Sequence, residues 1–164
     1  MTSDGATEEP TVPRRYRSRG QAAARFLVQN LVLKPVVWSV VTVRIFGTEK
    51  LRKAPNTFIV VANHSSHLDT PLIFGSLPKR MSRYLAAGAA ADYFFDVWWR
   101  RGLTALFFNA FPVDRHGGNP RRVRAKDLLL AGVPLMVFPE GTRSKDLKLH
   151  AFTPGAARST VVAP

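Results

Sequence analysis

The sequence predicts an α/β fold, a single domain with a mixed, largely parallel central sheet flanked by helices. Three observations carry this expectation. Short apolar runs alternate along the chain with segments of helical spacing, each run leads directly into a polar cluster, and 164 residues suffice for one hydrophobic core but not for two.

Residues 1–20 read as a disordered basic tail and residues 21–164 as the folded domain. Met1 to Pro13 is rich in Thr, Ser, Glu, Pro and Gly and has little to bury, and Arg14, Arg15, Arg17 and Arg19 follow it. From Gln21 to Leu33, QAAARFLVQNLVL sets good helix formers and apolar side chains at helical spacing. Such a stripe suits either a helix lying on an anionic leaflet or one packed against its own domain. The apolar stretch from Phe26 to Phe46 is broken by Gln29, Asn30, Lys34, Pro35 and Arg44, so it lacks the run of about 18 charge-poor residues that a spanning helix needs. The polar, basic start has no apolar stretch of the kind a secretory signal requires.

Val40 to Phe46 is β-branched and alternating and reads as a strand, as does the apolar run Thr57 to Ala62. A polar turn follows at His64, and the stretch after it predicts a helix beginning near Ser65 or Ser66. Asp92 to Arg101 predicts a helix dense in Tyr93, Phe94, Phe95, Trp98 and Trp99; its aromatic side chains suit a membrane interface, an acyl-chain pocket or the core. Ala110 to Val113 predicts a strand ending at Asp114-Arg115. Ala125 to Leu130 predicts a helix, Gly132-Val133-Pro134 a turn, and Leu135 to Phe138 a buried strand running into Pro139-Glu140-Gly141-Thr142-Arg143. Ligands of parallel sheets bind beyond the carboxyl ends of the strands, and all three polar clusters fall there.

Lys and Arg number 24 against 11 acids, a formal charge of +13, which calls for an anionic counterpart: nucleic acid, an acidic membrane or a phosphorylated substrate. The run Arg121-Arg122-Val123-Arg124-Ala125-Lys126 could grip phosphates, but the basic residues are scattered and no nucleic-acid-binding motif accompanies them, so nucleic acid is not the expected partner. The absence of cysteine excludes a disulfide framework, a thiol nucleophile and cysteine-ligated metal centres.

The chemistry is carried by three clusters. In Asn63-His64-Ser65-Ser66-His67-Leu68-Asp69, a carboxylate five residues after a histidine can accept from one ring nitrogen while the other faces the cleft as a general base. An isolated pair of this spacing is more often a helix-capping turn in which the histidine merely packs or hydrogen-bonds. Its company decides. Gly141 permits close backbone approach, and Arg143 and Arg115, each beyond a strand end, could converge on a phosphate monoester and hold its neighbouring hydroxyl beside His64. The same region offers a rival metal site, with His64, His67 and Asp69 joined by His116 or His150, although the spacing matches no zinc signature.

NHSSHLD, FPVDR and FPEGTRS, in this order, resemble the three motifs of the glycerolipid acyltransferases, the family of 1-acylglycerol-3-phosphate acyltransferase, and the similarity runs from about Thr42 to about Arg158. The resemblance implies a glycerol-3-phosphate acyltransferase-like fold preceded by a membrane-associating helix. It implies that His64 deprotonates an acceptor hydroxyl, that Asp69 orients it, and that the hydroxyl attacks an acyl thioester of coenzyme A or acyl carrier protein. It further implies that Arg115 and Arg143 bind the phosphate of a lysophospholipid acceptor, that Glu140, Gly141 and Thr142 shape its site, and that neither metal nor cofactor is required. Backbone amides after His64 become candidates for holding the oxyanion. Phospholipid biosynthesis at the cytoplasmic face of a membrane, as a peripheral or monotopic protein, is the expected setting. The chain departs from the family at His67, where an aromatic residue is usual, at Asn109, where glycine is frequent, and at Thr153, where lysine is usual. The family also continues into a further apolar strand after the point where this sequence ends. Were that strand to pair beside the one ending at Phe138, its absence would expose an edge, and the expectation is then a weakly active or inactive homologue that still binds anionic lipid.

Overall fold

The computed structural model describes residues 12–90, 97–113, 124–144, 146 and 148–152. Its centre is a sheet of four strands, β1 (Ile59–Val61), β2 (Ala86–Ala90), β3 (Phe111–Val113) and β4 (Leu135–Val137), in the order β1-β4-β2-β3. Every pairing is parallel, so the expected mixed sheet is wholly parallel among the described residues. The helices are α1 (Arg19–Val28), α2 (Lys34–Val40), α3 (Asp69–Ser76), α4 (Lys79–Ser82), α5 (Trp98–Phe108) and α6 (Ala125–Leu130).

Side chains alternate across the two central strands, and each face builds its own core. Ala86 and Leu135 point to one side, where Tyr16, Phe111, Leu128, Leu129 and Val133 pack with them. Ala87 and Met136 point to the other, against Phe74 and Leu85. Leu135 and Met136 are fully buried, as expected of a strand covered on both faces. Tyr16 is 1% exposed and ends a 3-10 turn at Arg14–Tyr16, so the packed part of the chain begins before the expected boundary at Gln21.

Two strand expectations need correction. Val40 to Phe46 forms no strand: α2 runs to Val40, and beyond it Val41 and Val43 are half-buried while Thr42 and Arg44 are exposed. The alternation survives, but among the described residues no strand pairs with it. Conversely, β2 carries no β-branched residue, and its Ala-Gly composition hid it. The lack of a side chain at Gly88 makes room for its neighbour in the sheet: a Cβ there would lie 2.9 Å from a methyl of Val113 on β3. The supposed free edge beside the strand ending at Phe138 is also corrected, since β4 has β1 on one side and β2 on the other.

The first helix begins near its expected start and runs further. α1 passes into α2 through a π-helical segment, Gln29–Leu33, in which Lys34 N–H donates to the Gln29 carbonyl. Pro35 explains the wider turn. Proline cannot donate to the preceding turn and its ring crowds the carbonyl there, so opening the turn just before it lets the helix continue. The helix is fastened by polar side chains. Arg25, 3% exposed, donates to Asn109 Oδ1 at 2.9 Å and to the Arg83 carbonyl at 3.4 Å, Gln29 donates to the Phe107 carbonyl, and Lys34 donates to the Gly75 carbonyl at 3.0 Å. Leu27, Leu31, Val32, Val36 and Val40 are exposed. No described helix is long and apolar enough to cross a membrane.

Of the helix expected over Asp92 to Arg101, residues 92–96 lie outside the described residues; Val97 is the extended N-cap, and α5 contains 98–101 and continues to Phe108. Trp98 and Trp99 are 79% and 47% exposed, which excludes them from the core, and Tyr93 to Phe95 fall outside the described residues. Asn109 ends α5 at φ 50° and is wholly buried, its amide donating to the Tyr84 carbonyl. Asparagine tolerates this left-handed conformation better than other non-glycine residues, so the departure from the family's glycine keeps the turn.

Candidate active site

The sheet order brings two of the three polar clusters together. β1 and β4 are neighbours and parallel, so the turn after Val61 and the loop after Val137 emerge side by side at the carboxyl edge. His64 and Asp69 lie on the first, and Glu140, Gly141, Thr142 and Arg143 on the second. Arg115 lies outside the described residues. Its strand, β3, is separated from β4 by β2 alone.

Asp69 builds the turn that carries His64. Its Oδ2 accepts from Ser65 N–H at 2.7 Å, from Ser66 N–H at 2.8 Å and from His64 Nδ1 at 2.9 Å. These bonds explain why α3 begins at Asp69 and not at Ser65 or Ser66: the serine amides serve the carboxylate, and Ser66 Oγ caps Leu68 N–H instead. The oxyanion expectation narrows accordingly. Ser65, Ser66 and Leu68 amides are committed, and Asp69 N–H donates to the Ser66 carbonyl, which leaves the His67 amide of this turn.

Burial pushes the Asp69 carboxyl up, but the hydrogen bonds from Ser66 N–H, the His64 ring and Ser65 N–H outweigh it and hold the group below the usual carboxylate range. Asp69 is therefore ionised at neutral pH and accepts the Nδ1 proton. Nε2 is left as the basic nitrogen of an imidazole whose side chain is 19% exposed. The ring plane is fixed by stacking on Phe138, with centroids 3.9 Å apart and planes 14° from parallel. Such an imidazole can take a proton from a hydroxyl and return it to a leaving group.

The second cluster holds the first in place. Glu140 is 5% exposed, and its Oε1 accepts from His64 N–H at 3.2 Å while Oε2 accepts from His150 N–H at 3.1 Å. Each oxygen thus holds a backbone N–H, one in the His64 turn and one in the segment after β4. Ser144 N–H donates to the His64 carbonyl at 2.7 Å. Gly141 adopts φ 70°, which glycine alone takes freely, and this turn leaves Thr142 and Arg143 exposed at the site's rim. Phe138, Ser144, Asp146 and His150 belong to the same assembly and were missed as site residues. A stacking partner and a backbone donor leave no residue-type signature, and His150 stood out only as a possible metal ligand. Its ring is bonded to Asp146 at 2.9 Å, and among the described residues no group of three potential ligands is close enough to hold an ion.

Comparison with known proteins agrees with this architecture. The model of the family described as Acyltransferase matches residues 42–164. A 1-acyl-sn-glycerol-3-phosphate acyltransferase of Chlamydomonas reinhardtii is 33% identical over 116 residues, 70% of this chain and 33% of that protein. The protein named Taffazin from Dictyostelium discoideum is 29% identical over 119 residues, 67% of this chain and 40% of its own. The chain thus spans between a third and two fifths of the length of these relatives. The crystal structure of PlsC, the 1-acyl-sn-glycerophosphate acyltransferase of Thermotoga maritima, superposes with a TM-score of 0.57 at 28% identity, covering 91% of this chain and 59% of that one. With a family model that matches residues 42–164, a relative 33% identical and a solved structure of the same fold, the chain belongs to the acyltransferase family of the PlsC type.

Proposed function

We propose that the protein transfers an acyl group from acyl-CoA or acyl carrier protein to the hydroxyl of a lysophospholipid such as 1-acylglycerol 3-phosphate, in phospholipid biosynthesis, at the anionic face of a membrane. The observation that carries this reading is the 2.9 Å contact between Asp69 Oδ2 and His64 Nδ1, which leaves Nε2 basic. In the reaction, Nε2 takes the proton of the acceptor hydroxyl as its oxygen attacks the thioester carbonyl. The tetrahedral intermediate expels the thiolate, which leaves with the proton from the imidazolium. Asp69 stabilises that imidazolium, and the His67 amide is available to the developing oxyanion. Arg143, exposed beyond the Gly141 turn, and Arg115, beyond β3, suit the acceptor's phosphate. The residues in these roles need no metal or cofactor beyond the acyl donor.

The membrane reading is supported by the first helix, whose outward face is apolar. Ala22 and Val37 are buried beside the inward contacts of Arg25, Gln29 and Lys34, while Leu27, Leu31, Val32, Val36 and Val40 face outward. A helix with aliphatics on its exposed face suits the boundary of a bilayer, and the charge of +13 suits an acidic one.

Transfer from labelled acyl-CoA to a panel of acceptors tests the reaction. Wild-type protein transfers the label to lysophosphatidic acid, and His64→Ala is slower by about 10²- to 10⁴-fold. Equal transfer by the two proteins removes His64 from the mechanism, and no transfer by wild type removes the reading itself. Loss of transfer in the wild type with vesicle binding retained favours the second reading, an inactive homologue that binds anionic lipid.

A further inference from the structure

The residues just beyond the FPEGTRS cluster form a closed circuit of hydrogen bonds around the catalytic turn. Ser144 N–H donates to the His64 carbonyl at 2.7 Å, and Glu140 Oε1 accepts from His64 N–H at 3.2 Å, so both peptide groups flanking His64 are held from β4's side of the cleft. The two holders are in turn held by one pair. Asp146 Oδ1 accepts from Ser144 Oγ at 3.0 Å, from Lys148 N–H at 3.2 Å and from His150 Nε2 at 2.9 Å. His150 closes the circuit, because its own N–H donates to Glu140 Oε2 at 3.1 Å.

We propose that Asp146 and His150 are positioning residues of the transferase site, a clasp that fixes the His64 peptide, and with it the imidazole, through Ser144 and Glu140; this rests on the function proposed above. His150 works in either protonation state, since Nε2–H suffices to donate to the carboxylate. The backbone N–H of Lys148, then the Ser144 hydroxyl and the His150 ring, hold the Asp146 carboxyl below the usual range, so it remains an acceptor across the neutral range. The pair is about half exposed, with side-chain exposures of 49% and 50%, and exposed pairs contribute little to stability. Its effect is therefore geometric. A general base works only within hydrogen-bond reach of the proton it takes, and displacement of about 1 Å can lower a rate by about 10²-fold. Releasing the clasp frees the Ser144 and Glu140 contacts on either side of His64, while Asp69 still holds the ring nitrogen.

His150→Ala, His150→Gln, Asp146→Ala and the double variant His150→Ala/Asp146→Ala, each in the full chain, test the clasp with two readouts. The first is the low-field Nδ1–H proton resonance of His64 in the NMR spectrum, which needs no turnover. The second is kcat and KM with labelled acyl-CoA and lysophosphatidic acid. The alanine variants are expected to melt at the wild-type temperature and to shift or broaden the resonance. They should lower kcat by about ten- to a hundredfold with KM for acyl-CoA unchanged. The double variant should be no worse than either single one, because the two side chains act as one unit. His150→Gln, whose amide can still donate to Asp146, should recover most of kcat. Wild-type kcat in His150→Ala overturns the proposal, as does a loss that glutamine fails to restore. If the wild type transfers no acyl group, the proposed function fails on its own, and the resonance then decides: a shift in the alanine variants supports the clasp, and an unchanged signal overturns it.

Discussion

At Asp69 one oxygen does the work of a capping box, a strand-to-helix turn and a histidine orienter at once. It takes two serine amides and the imidazole, and only an ionised carboxylate can accept all three well. In Asp69→Asn an amide oxygen in the Oδ2 position can still accept from both serines and from Nδ1, but it carries no charge to stabilise the imidazolium. Transfer should fall by up to about 10⁴-fold while the far-ultraviolet spectrum stays unchanged, and a loss below tenfold would show that the carboxylate's charge is not needed here. The same carboxylate sets a pH dependence. Because it titrates lower in the folded protein than in the unfolded chain, its stabilisation is complete above the ordinary value of about 3.9 and is lost as pH falls through the lower folded value. Denaturation midpoints of the wild type should therefore drop more steeply on acidification below about pH 4 than those of Asp69→Asn. Parallel curves would mean that the carboxylate is not stabilised by folding.

Among the elements, legibility followed side-chain chemistry. β1, β3 and β4 were visible as apolar runs ending in polar clusters, and α6 as a short periodic segment, because each carries the residues its environment selects. β2 was not, since alanine and glycine fit helix, strand or turn equally and its identity comes from the two neighbours that pair with it. Val40 to Phe46 failed the other way: it has a strand's alternation but no partner strand among the described residues. In the site, His64, Asp69 and the FPEGTRS residues were legible as a pattern, whereas Glu140's double grip on backbone depends on the juxtaposition of β1 and β4, which no local pattern encodes. Asn109 shows what such tertiary dependence implies. It combines a left-handed backbone with side-chain bonds to Arg25 and to the Tyr84 carbonyl. Arg25 is buried without a carboxylate partner among the described residues, and burial, then repulsion from Arg15, lowers its pKa to about 10, so it stays charged at neutral pH and needs its acceptors. Asn109→Gly keeps the turn and loses the bonds; Asn109→Ala also forces a Cβ into the left-handed region, at a cost of roughly 1–2 kcal/mol. Thermal melts should rank wild type above Gly above Ala, and an alanine variant as stable as the glycine one would refute the backbone argument.

On the scale of the whole molecule, two features make distinct demands on whatever surface the protein meets. The charge of +13 is long-ranged and screened by salt, whereas the outward aliphatic face of α1 and α2 and the exposed Trp98 and Trp99 act only in contact and hardly respond to ions. Basic residues near an acidic leaflet contribute about 1 kcal/mol each at low salt. Binding to anionic vesicles should therefore weaken steeply as ionic strength rises and then level off at a residual value that neutral vesicles also show. Leu31→Glu with Val36→Glu should abolish that residual binding without lowering the melting temperature, because both side chains are exposed, at 70% and 60%, and contribute little to the core. Replacing Trp98 and Trp99 by alanine should reduce it as well. Flotation on anionic and neutral vesicles across a salt series measures both components. If the glutamate variant floats like the wild type at high salt, the outward face of the helix is not what touches the bilayer, and the exposed aliphatics of α1 and α2 require a protein surface in its place.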